Sequence, residues 1–340
     1  MKNLVTFSSK RTKTALLYSV GAVLLCLSAA LSFALGSVRL SFADVIDAAR
    51  YGADYSVGTR VFVFVRLPRT LAAVCCGAAL SVSGAVIQGV LANRLASPSV
   101  IGVNSGAGLA VTLCTAFGIL GGWRLSLCSF LGAFIVVLLV SLGAKRWGAS
   151  RGTVILIGVA MNSLLGAISD TVTTLIPEVG VMSNDFKIGT FSAVTYNKLV
   201  PSLITVAITL LIVYTLSTQL DVLNLGEETA KGLGLNTSLM RVIFLILSAI
   251  LAGCAVSLAG LLSFVGLLVP HAVRRAAGNK SSHLLGLCTL FGGGFVCLCD
   301  TLSRTVFAPY EIPVGIIMAF LGAPFFIFIL IKGKGGHSRD

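Results

Sequence analysis

Long uncharged runs of hydrophobic residues alternate with short charged segments along the whole chain. Most runs hold about 18–25 residues, the length that one helix needs to cross a bilayer. No polar segment between them is long enough for a separate soluble domain. The pattern predicts an all-α polytopic membrane protein, with residues 1–340 in one domain and a membrane-embedded core over 14–331. The uncharged runs are 14–38, 70–93, 95–123, 125–144, 152–169, 199–220, 242–270, 281–299 and 312–331.

The run 242–270 is longer than one span needs, and its length decides the predicted topology. A turn at 258–260 would divide it into a full span and a short helix over 263–273. With this extra helix, the basic clusters at 274–280 and 332–334 face the same side as the basic N-terminus, as the positive-inside bias requires. The sequence therefore predicts about ten transmembrane helices, one of them short or broken, with the N- and C-termini in the cytoplasm.

Several other segments complete the expected outline. The run 95–123 should form one helix after a turn at Pro98. Residues 39–60 and 174–195 mix charges with turn-forming residues and should form excursions on the outer surface. The basic N-terminus and its apolar run resemble a signal peptide, but the run is longer than the hydrophobic region of such a peptide and more spans follow it. We therefore expect an uncleaved first helix.

Composition and charge agree with a membrane protein and argue against several other classes. The chain is 56% hydrophobic and 11% charged, with a mean hydropathy of +0.99, whereas soluble domains are roughly 25% charged. Its formal charge of +13 comes from residues at the ends of apolar runs, so no nucleic-acid partner is expected. All nine cysteines lie in apolar segments and none forms a C-x-x-C pair. Neither a metal site nor a disulfide framework is predicted.

The second apolar run opens an ordered set of motifs. It begins with R-L-P-R at 66–69 and continues with G-A-x-L-x-x-S-G-x-x-x-Q at 77–88, N-x-L-A-x-P at 93–98 and I-G-x-x-x-G-A at 101–107. Small residues of this run suit close packing between membrane helices. The motifs resemble the signature of the FecCD-type permeases, the membrane subunits of bacterial ABC importers for iron–siderophores, haem and cobalamin. The small residues are Gly77, Ala78, Ser81, Gly84, Ala85 and Gly89.

Motifs near the C-terminus extend the resemblance. The segment S-F-V-G-L-L-V-P-H-A-V-R-R at 263–275 is similar to a family motif, although Leu262 and Ser263 stand where members commonly have Pro-Ile. E-x-P-x-G at 311–315 and L-G-A-P at 321–324 match the family's last span. His271 beside Pro270 could suggest a haem ligand. A structural histidine is the better interpretation, because the motif is shared across members with different substrates.

A polar cytoplasmic stretch, residues 219–236, is the candidate for coupling to an ATPase. Its centre should form a short helix, with acids near the start, a lysine near the end and glycines that stop it. The spacing resembles the family's coupling segment, L-G-x-x-x-A-x-x-L-G, and the resemblance implies docking in a cleft of the ATPase. The alternative is a solvated loop helix. The implied coupling residues are Leu225, Gly226, Glu227, Glu228, Ala230, Leu233 and Gly234.

Three arginines near the outer face are candidates for docking a binding protein. Arg66 and Arg69 flank Leu67-Pro68, and the proline should keep Leu67 extended, which places both arginines near the interface. Arg304 follows Asp300 by four residues. Family resemblance implies that these arginines pair with acids of an extracytoplasmic binding protein. The alternative is ordinary snorkelling, with Arg304 paired to Asp300 on one helix.

Polar residues inside the predicted spans are candidates for the translocation pathway. A polar face on a membrane helix must find protein or water, and the fifth span carries such residues at steps of three and four. Interhelical hydrogen bonding without substrate contact is the equally open alternative. The candidates are Gln88, Asn104, Asn162, Gly166 and Asp170.

The sequence as a whole predicts the permease of a binding-protein-dependent ABC importer in the bacterial cytoplasmic membrane. Resemblance implies partner ATPase subunits, an extracytoplasmic binding protein, and a second permease copy or paralogue. No catalytic residue and no cofactor are expected in this chain, which lacks a G-x-x-x-x-G-K-[ST] motif, so ATP and Mg²⁺ would act in the partner. The expected substrate is an iron–siderophore, with haem or cobalamin as alternatives. Two other classes remain, an ion-coupled secondary transporter, which would usually need carboxylates near the midplane, and a membrane-embedded enzyme.

Overall fold

The computed structural model describes residues 2–36, 42–146 and 151–334, and the regular secondary structure of this part of the chain is helical throughout. The remaining residues of the predicted 1–340 domain (1, 37–41, 147–150 and 335–340) lie outside the described residues. The helices are α1 (Lys2–Ala34), α2 (Phe42–Tyr51), α3 (Val57–Val61), a π-helical turn (Phe62–Arg66), α4 (Leu67–Val90), α5 (Val103–Ala116), α6 (Gly122–Arg146), α7 (Arg151–Leu175), α8 (Pro177–Met182), α9 (Asn184–Ile188), α10 (Tyr196–Thr215), α11 (Ser217–Asn224), α12 (Glu227–Gly232), α13 (Thr237–Ala259), α14 (Val265–Ala277), α15 (Ser281–Thr305) and α16 (Val314–Lys334).

The helices confirm the predicted polytopic class. Seven stretches of the described residues are long and apolar enough to cross a membrane, and two shorter apolar helices, Val103–Ala116 and Val314–Phe328, accompany them. The short helix α14 is the tenth. The seven long stretches are Thr12–Ala34, Val57–Val90, Gly122–Gly143, Gly152–Leu175, Tyr196–Thr215, Thr237–Ala259 and Ser281–Thr305.

Helix α4 forms the centre of the bundle. In the most apolar 18 residues of the stretch that contains α4, 89% are buried, whereas the corresponding shares are 72% for α13 and 56% for α15. Helix α4 packs against α13, α14 and α15. Glycines permit this packing: a Cβ on Gly77 would overlap the carbonyl oxygen of Gly292, and one on Gly84 would overlap that of Gly266. The predicted close packing of small residues is confirmed at these two contacts.

The expectation that Leu67 is extended is wrong. Its φ and ψ are −61° and −53°, so the chain is helical through Pro68. The proline stands in the first turn of α4, where its ring is accommodated although it supplies no N–H for a helical hydrogen bond. The π-helical turn before it makes the helix continuous, and the continuous helix turns Arg66 and Arg69 into the protein.

The predicted turn after α13 is confirmed, and its backbone contacts hold it in place. α13 ends at Gly260, which has a φ of 74°, and α14 begins after Phe264, which has a φ of 67°. The Leu261 N–H donates to the Phe186 carbonyl at 2.9 Å, and the Thr190 N–H donates to the Ala259 carbonyl at 2.7 Å. The chain reverses at these turns rather than at Pro270, through which α14 continues.

The prediction that the run 95–123 holds one helix after a turn at Pro98 is confirmed, although the helix is much shorter than the run. This helix is α5, and its 14 residues span about 21 Å, less than the roughly 30 Å of a bilayer core. Turns occupy the preceding residues: the Val103 N–H donates to the Pro98 carbonyl at 3.3 Å, and Gly102 has a φ of 98°. Gly118, with a φ of 79°, lies in the turn after α5. The turn at Pro98 was predicted, but the run carries no charge, so charge alone did not show how far its turns extend.

Candidate functional site

Five charged side chains form a cluster at the predicted outer end of the bundle, named here the outer cluster: Arg66, Arg69, Asp300, Arg304 and Glu311. Asp300 has no exposed surface. Arg69 Nε donates to both carboxylate oxygens of Asp300 at 3.0 and 3.2 Å, and its Nη1 donates to Glu311 Oε2 at 2.8 Å. Arg304 Nη2 lies 3.2 Å from the second oxygen of Asp300. One buried carboxylate therefore holds two arginines from different helices.

Helix α1 closes the outer cluster. Arg304 Nη2 also donates to Ser32 Oγ at 2.7 Å, and Ser32 shares a 2.7 Å hydrogen bond with Thr70. Arg66 Nη1 donates to the Phe33 carbonyl. The cluster thus joins α1, α4, α15 and the segment before α16 through polar contacts.

The structure brings together all three arginines that the sequence singled out. Arg66, Arg69 and Arg304 are only 3%, 5% and 2% exposed. The alternative of an i,i+4 pair between Arg304 and Asp300 is present, and docking of a binding protein stays a prediction. Sequence reasoning missed Ser32 and Glu311 as members. The position of Glu311 within the E-x-P-x-G motif was the sequence signal that could have identified it.

The predicted coupling segment contains the short helix α12. Gly226 and Gly234 flank it with φ values of 108° and 80°, which are conformations that glycine adopts without strain. Ala230 is fully buried beneath the helix, whereas Leu225 and Leu233 at its two ends are 61% and 63% exposed. Apolar side chains are thus exposed at both ends of α12, and coupling of this segment to an ATPase stays a prediction.

A carboxylate fixes α12 to the core helix α13. Glu227 Oε1 lies 3.1 Å from Lys231 Nζ, and its Oε2 lies 3.0 Å from Arg241 Nη2 in the first turns of α13. The hydrogen bonds from Lys231 and Arg241 lower the pKa of Glu227. Glu228, the neighbouring acid, points to the exposed side. Sequence reasoning missed Arg241, because its contact with Glu227 depends on how α12 folds back.

Helix α7 presents a face of small and polar residues that no other described part of the chain covers. Asp170 lies on this face and is exposed, whereas Ser169 is buried and Gly166 is half-buried. An exposed carboxylate on a membrane helix is costly unless it faces water or another protein. The exposed members are Ala160, Ser163, Ala167, Asp170, Thr171 and Thr174. Of the candidates that the sequence named on this helix, Asp170 lies on this face, whereas Asn162 and Gly166 lie to one side of it.

The other pathway candidates contact the protein interior. The Asn162 amide donates to the Ser99 carbonyl at 2.9 Å, and its oxygen accepts from Ser105 at 2.6 Å. Gln88 is buried and donates to the Gly266 carbonyl at 3.2 Å. Asn104 is half-buried at the start of α5. These contacts fit the alternative of interhelical hydrogen bonding, and a pathway role for these residues stays a prediction.

Comparison with known proteins now decides the family. A sequence profile of the FecCD transport family matches residues 24–332. The chain belongs to the FecCD transport family. It is therefore the permease subunit of an ABC importer, as the motifs predicted, and its role is transport rather than catalysis.

Relatives of this FecCD permease carry different substrate names. It is 35% identical to the probable siderophore transport system permease protein YfhA of Bacillus subtilis, over 92% of this chain and 94% of that protein. It is 33% identical to the vitamin B12 import system permease protein BtuC of Yersinia pseudotuberculosis, over 83% and 85% of the two chains. A solved inward-facing metal-chelate type ABC transporter shares 29% identity and a TM-score of 0.81, covering 94% of this chain and 99% of that one.

Family membership gives the candidate sites of this FecCD permease a common context. Permeases of ABC importers imply partner ATPases, a binding protein and a paired arrangement of subunits, and they are multi-pass proteins of the membrane. The outer cluster lies at one end of α4 and α15, and α12 lies before α13 at the predicted opposite side. The two candidate partner surfaces are thus separated by the membrane-spanning core.

Proposed function

We propose that this permease imports an iron(III)–siderophore, driven by ATP hydrolysis in a partner subunit. The observation that carries the ATP-driven mechanism is the fixed helix α12, with its exposed leucines and its ion pair to α13. The siderophore choice is supported by the 35% identity to a probable siderophore permease and by the likeness to a metal-chelate transporter. Haem and cobalamin are the alternative substrates, and the relative named for vitamin B12 import supports keeping the second.

In this proposal α12 transmits movement of the ATPase to the membrane core. The ATPase would bind the exposed surface around Leu225, Glu228 and Leu233. Glu227 would pass the displacement to Arg241 and so to α13, which packs against α4, α6 and α10. Because packed helices have discrete arrangements, such a shift can reorient a central cavity between outward- and inward-facing states.

The exposed face of α7 would meet the second permease, either a copy of this chain or a paralogue. Asp170 and its hydroxyl-bearing neighbours would then line a water-filled cavity between the two subunits instead of contacting lipid. The outer cluster would lie beside the mouth of this cavity, where a binding protein delivers the substrate. No cofactor is proposed for this chain itself. ATP and Mg²⁺ are assigned to the partner ATPase.

The proposal places the protein in the bacterial cytoplasmic membrane, with both termini and α12 in the cytoplasm. Most basic residues outside the spans lie on that side, as the positive-inside bias requires. Cytoplasmic placement of α12 is also what coupling to an ATPase needs. Reporter fusions after residue 231 and after the C-terminus test this orientation.

The test of function is uptake of labelled ferric siderophore, haem and cobalamin by cells with and without the gene, before and after ATP depletion. We expect loss of ferric-siderophore uptake alone, and only while ATP is present. Loss of haem or cobalamin uptake instead would replace the substrate. Uptake that depends on the gene but follows the proton gradient would favour an ion-coupled secondary transporter and overturn the ABC mechanism.

A second experiment tests the coupling assignment in the same cells. Replacing Glu227, Glu228 and Gly234 together should abolish uptake while the protein still reaches the membrane. Two variants test the contribution of the ion pair between Glu227 and Arg241. Glu227→Arg alone should lower uptake, and the charge-swapped variant that also carries Arg241→Glu should restore part of that uptake. Intact uptake in the triple variant would rule out α12 as the coupling element.

A further inference from the structure

A groove of about 430 Å³ runs between α1, α14 and α15. Every residue that lines it is apolar, and the helices contribute staggered positions such as Leu17 and Val20 from α1, Ala272 and Ala276 from α14, and Phe291 from α15. The apolar walls exclude a polar solute. A groove of this shape on the lateral surface of a membrane protein accommodates a hydrocarbon chain.

Local packing explains why the groove is open. Helix α1 approaches α15 through Gly21 and through Tyr18, whose ring lies where a Cβ on Gly286 would be. Leu17, one turn before Gly21, is partly buried at the edge of this contact, and Val20 beside it is 48% exposed, so both side chains line the groove. Helix α14 has only 13 residues, or about 20 Å, and it forms the second wall of the groove over that length.

Cations surround one end of the groove. Lys13 lies one turn before Leu17 on α1, and Arg275 lies next to Ala276 on α14. Lys280 follows four residues after Ala276, in the connection to α15. All three cationic side chains are exposed. Asp221 also lies at this end, where it accepts a hydrogen bond from the Ser281 N–H at 2.8 Å and is thereby engaged in capping α15.

An apolar groove with a cationic end matches one class of molecule. We propose that this groove binds an anionic phospholipid of the cytoplasmic leaflet, with an acyl chain between α1, α14 and α15 and the phosphate headgroup near Lys13, Arg275 and Lys280. Basic pockets between membrane helices on the cytoplasmic side recognise anionic headgroups in this way. The assignment to the cytoplasmic leaflet rests on the orientation proposed above.

A second copy of the permease is a poorer occupant of the groove. The exposed face that a partner permease would cover belongs to α7, which packs against α5, α6 and α8. Helix α14 packs instead against α4, α15, α16 and α1. The groove and the polar α7 face therefore belong to different sets of helices, and three cations near the groove would favour an anion over another cationic permease surface.

The test uses full-length protein reconstituted in vesicles of phosphatidylglycerol and phosphatidylcholine in equal amounts, then extracted in mild detergent. Native mass spectrometry of the extracted protein counts the retained molecules of each lipid. We expect the wild-type protein to retain phosphatidylglycerol in preference to phosphatidylcholine. Ala272→Phe should lose most of the retained lipid, because the ring fills the groove.

A charge variant separates headgroup recognition from the groove itself. Lys13→Gln with Arg275→Gln should lower the preference for phosphatidylglycerol by about 25-fold, since each cation near a membrane surface contributes about fivefold. Arg146→Gln is the matched control, because Arg146 is exposed at the end of α6, outside the groove helices. That control should leave the preference unchanged.

Three outcomes would overturn the proposal. Equal retention of both lipids by the wild-type protein would remove the case for an anionic ligand. An unchanged preference in the charge variant would separate the three cations from the binding. A change in the dimer fraction of the Ala272→Phe variant, with lipid retention unaltered, would assign the groove to a second copy. None of these measurements depends on uptake, so failure of the siderophore proposal would leave the lipid test intact.

Discussion

Replacement of Asp300 by asparagine should destabilise this permease strongly. Asp300 has no exposed surface, and its carboxylate neutralises Arg69 and Arg304, which are themselves 5% and 2% exposed. Asparagine has nearly the same shape, so the change creates little cavity. It removes the negative charge and leaves two buried guanidinium groups with less compensation. The outer cluster then holds Arg66, Arg69 and Arg304 against Glu311 alone.

The size of the effect follows from the cost of a buried, uncompensated charge. Removing one partner of a buried ion pair costs about 3–5 kcal/mol. An unfolding entropy of roughly 2.1 cal/mol/K per residue gives about 0.7 kcal/mol/K for a chain of 340 residues. Dividing the lost free energy of about 3–5 kcal/mol by the unfolding entropy of about 0.7 kcal/mol/K predicts that Tm falls by about 4–7 °C.

Thermal unfolding of the purified protein in detergent measures this shift. Glu311→Gln is the matched control, because Glu311 also pairs with Arg69 but its side chain is 33% exposed. A partly solvated pair contributes about 1 kcal/mol or less, so the control should lower Tm by about 1.4 °C or less. Replacing Asp300, Arg69 and Arg304 together with leucine or methionine should restore much of the stability, because no buried charge is left unpaired. A Tm of the Asp300→Asn variant equal to that of the control would refute the reasoning.

Three further predictions concern packing, pH and docking. Gly84→Leu should abolish folded protein in size-exclusion chromatography, since its Cβ would overlap a facing backbone carbonyl, whereas Gly108→Ala, where no atom lies within 4 Å of the added Cβ, should fold normally. The pKa of Glu227 is lowered in the folded protein, so its contribution to stability is complete above the ordinary value of 4.5 and is lost only as pH falls through the lowered one. ATP-driven uptake in vesicles should therefore stay constant from neutral to mildly acidic pH, and a decline over that range that Glu227→Gln abolishes would contradict the assignment. Glu311→Gln should raise the affinity of the binding protein severalfold by releasing one carboxylate from Arg69, and unchanged affinity in a titration would count against docking at this cluster.

Hydrophobic pattern and charge were enough to predict the all-α polytopic class, the presence of about ten membrane helices and the turn after α13. Each depends on a property that the sequence carries directly: the length of an uncharged run, the side on which basic residues accumulate, or the need to divide a run that is too long. The run 95–123 shows the limit of the method. Its turns contain Pro98 and Gly102 but no charge, and in a membrane protein uncharged turns are tolerated where protein surrounds them. Hydropathy does not distinguish such a buried turn from a span.

Site geometry was less accessible, because it depends on contacts between distant segments. The step of four residues from Asp300 to Arg304 was visible in the sequence, but the partner Arg69 lies 231 residues away from Asp300. Asn162 shows the same difficulty on α7. It belongs to a polar stripe by spacing, yet it bonds the turn before α5, while the exposed stripe is displaced toward Ser163 and Ala167. Neighbouring residues of a helix point in different directions, so a shift of one position, from Asn162 to Ser163, separates a side chain with interior contacts from an exposed side chain.

The outer cluster reconciles the two interpretations of its arginines that the sequence left open. Three cations and two acids leave a formal charge of +1, so pairing within the protein does not cancel the positive charge at this end of the bundle. Asp300 is buried and stabilises the fold, whereas Glu311 is partly exposed and holds Arg69 from the solvent side. An acid on a binding protein could replace Glu311 without removing Asp300. Structural pairing and docking then use different sides of the same guanidinium group, and the two roles are compatible.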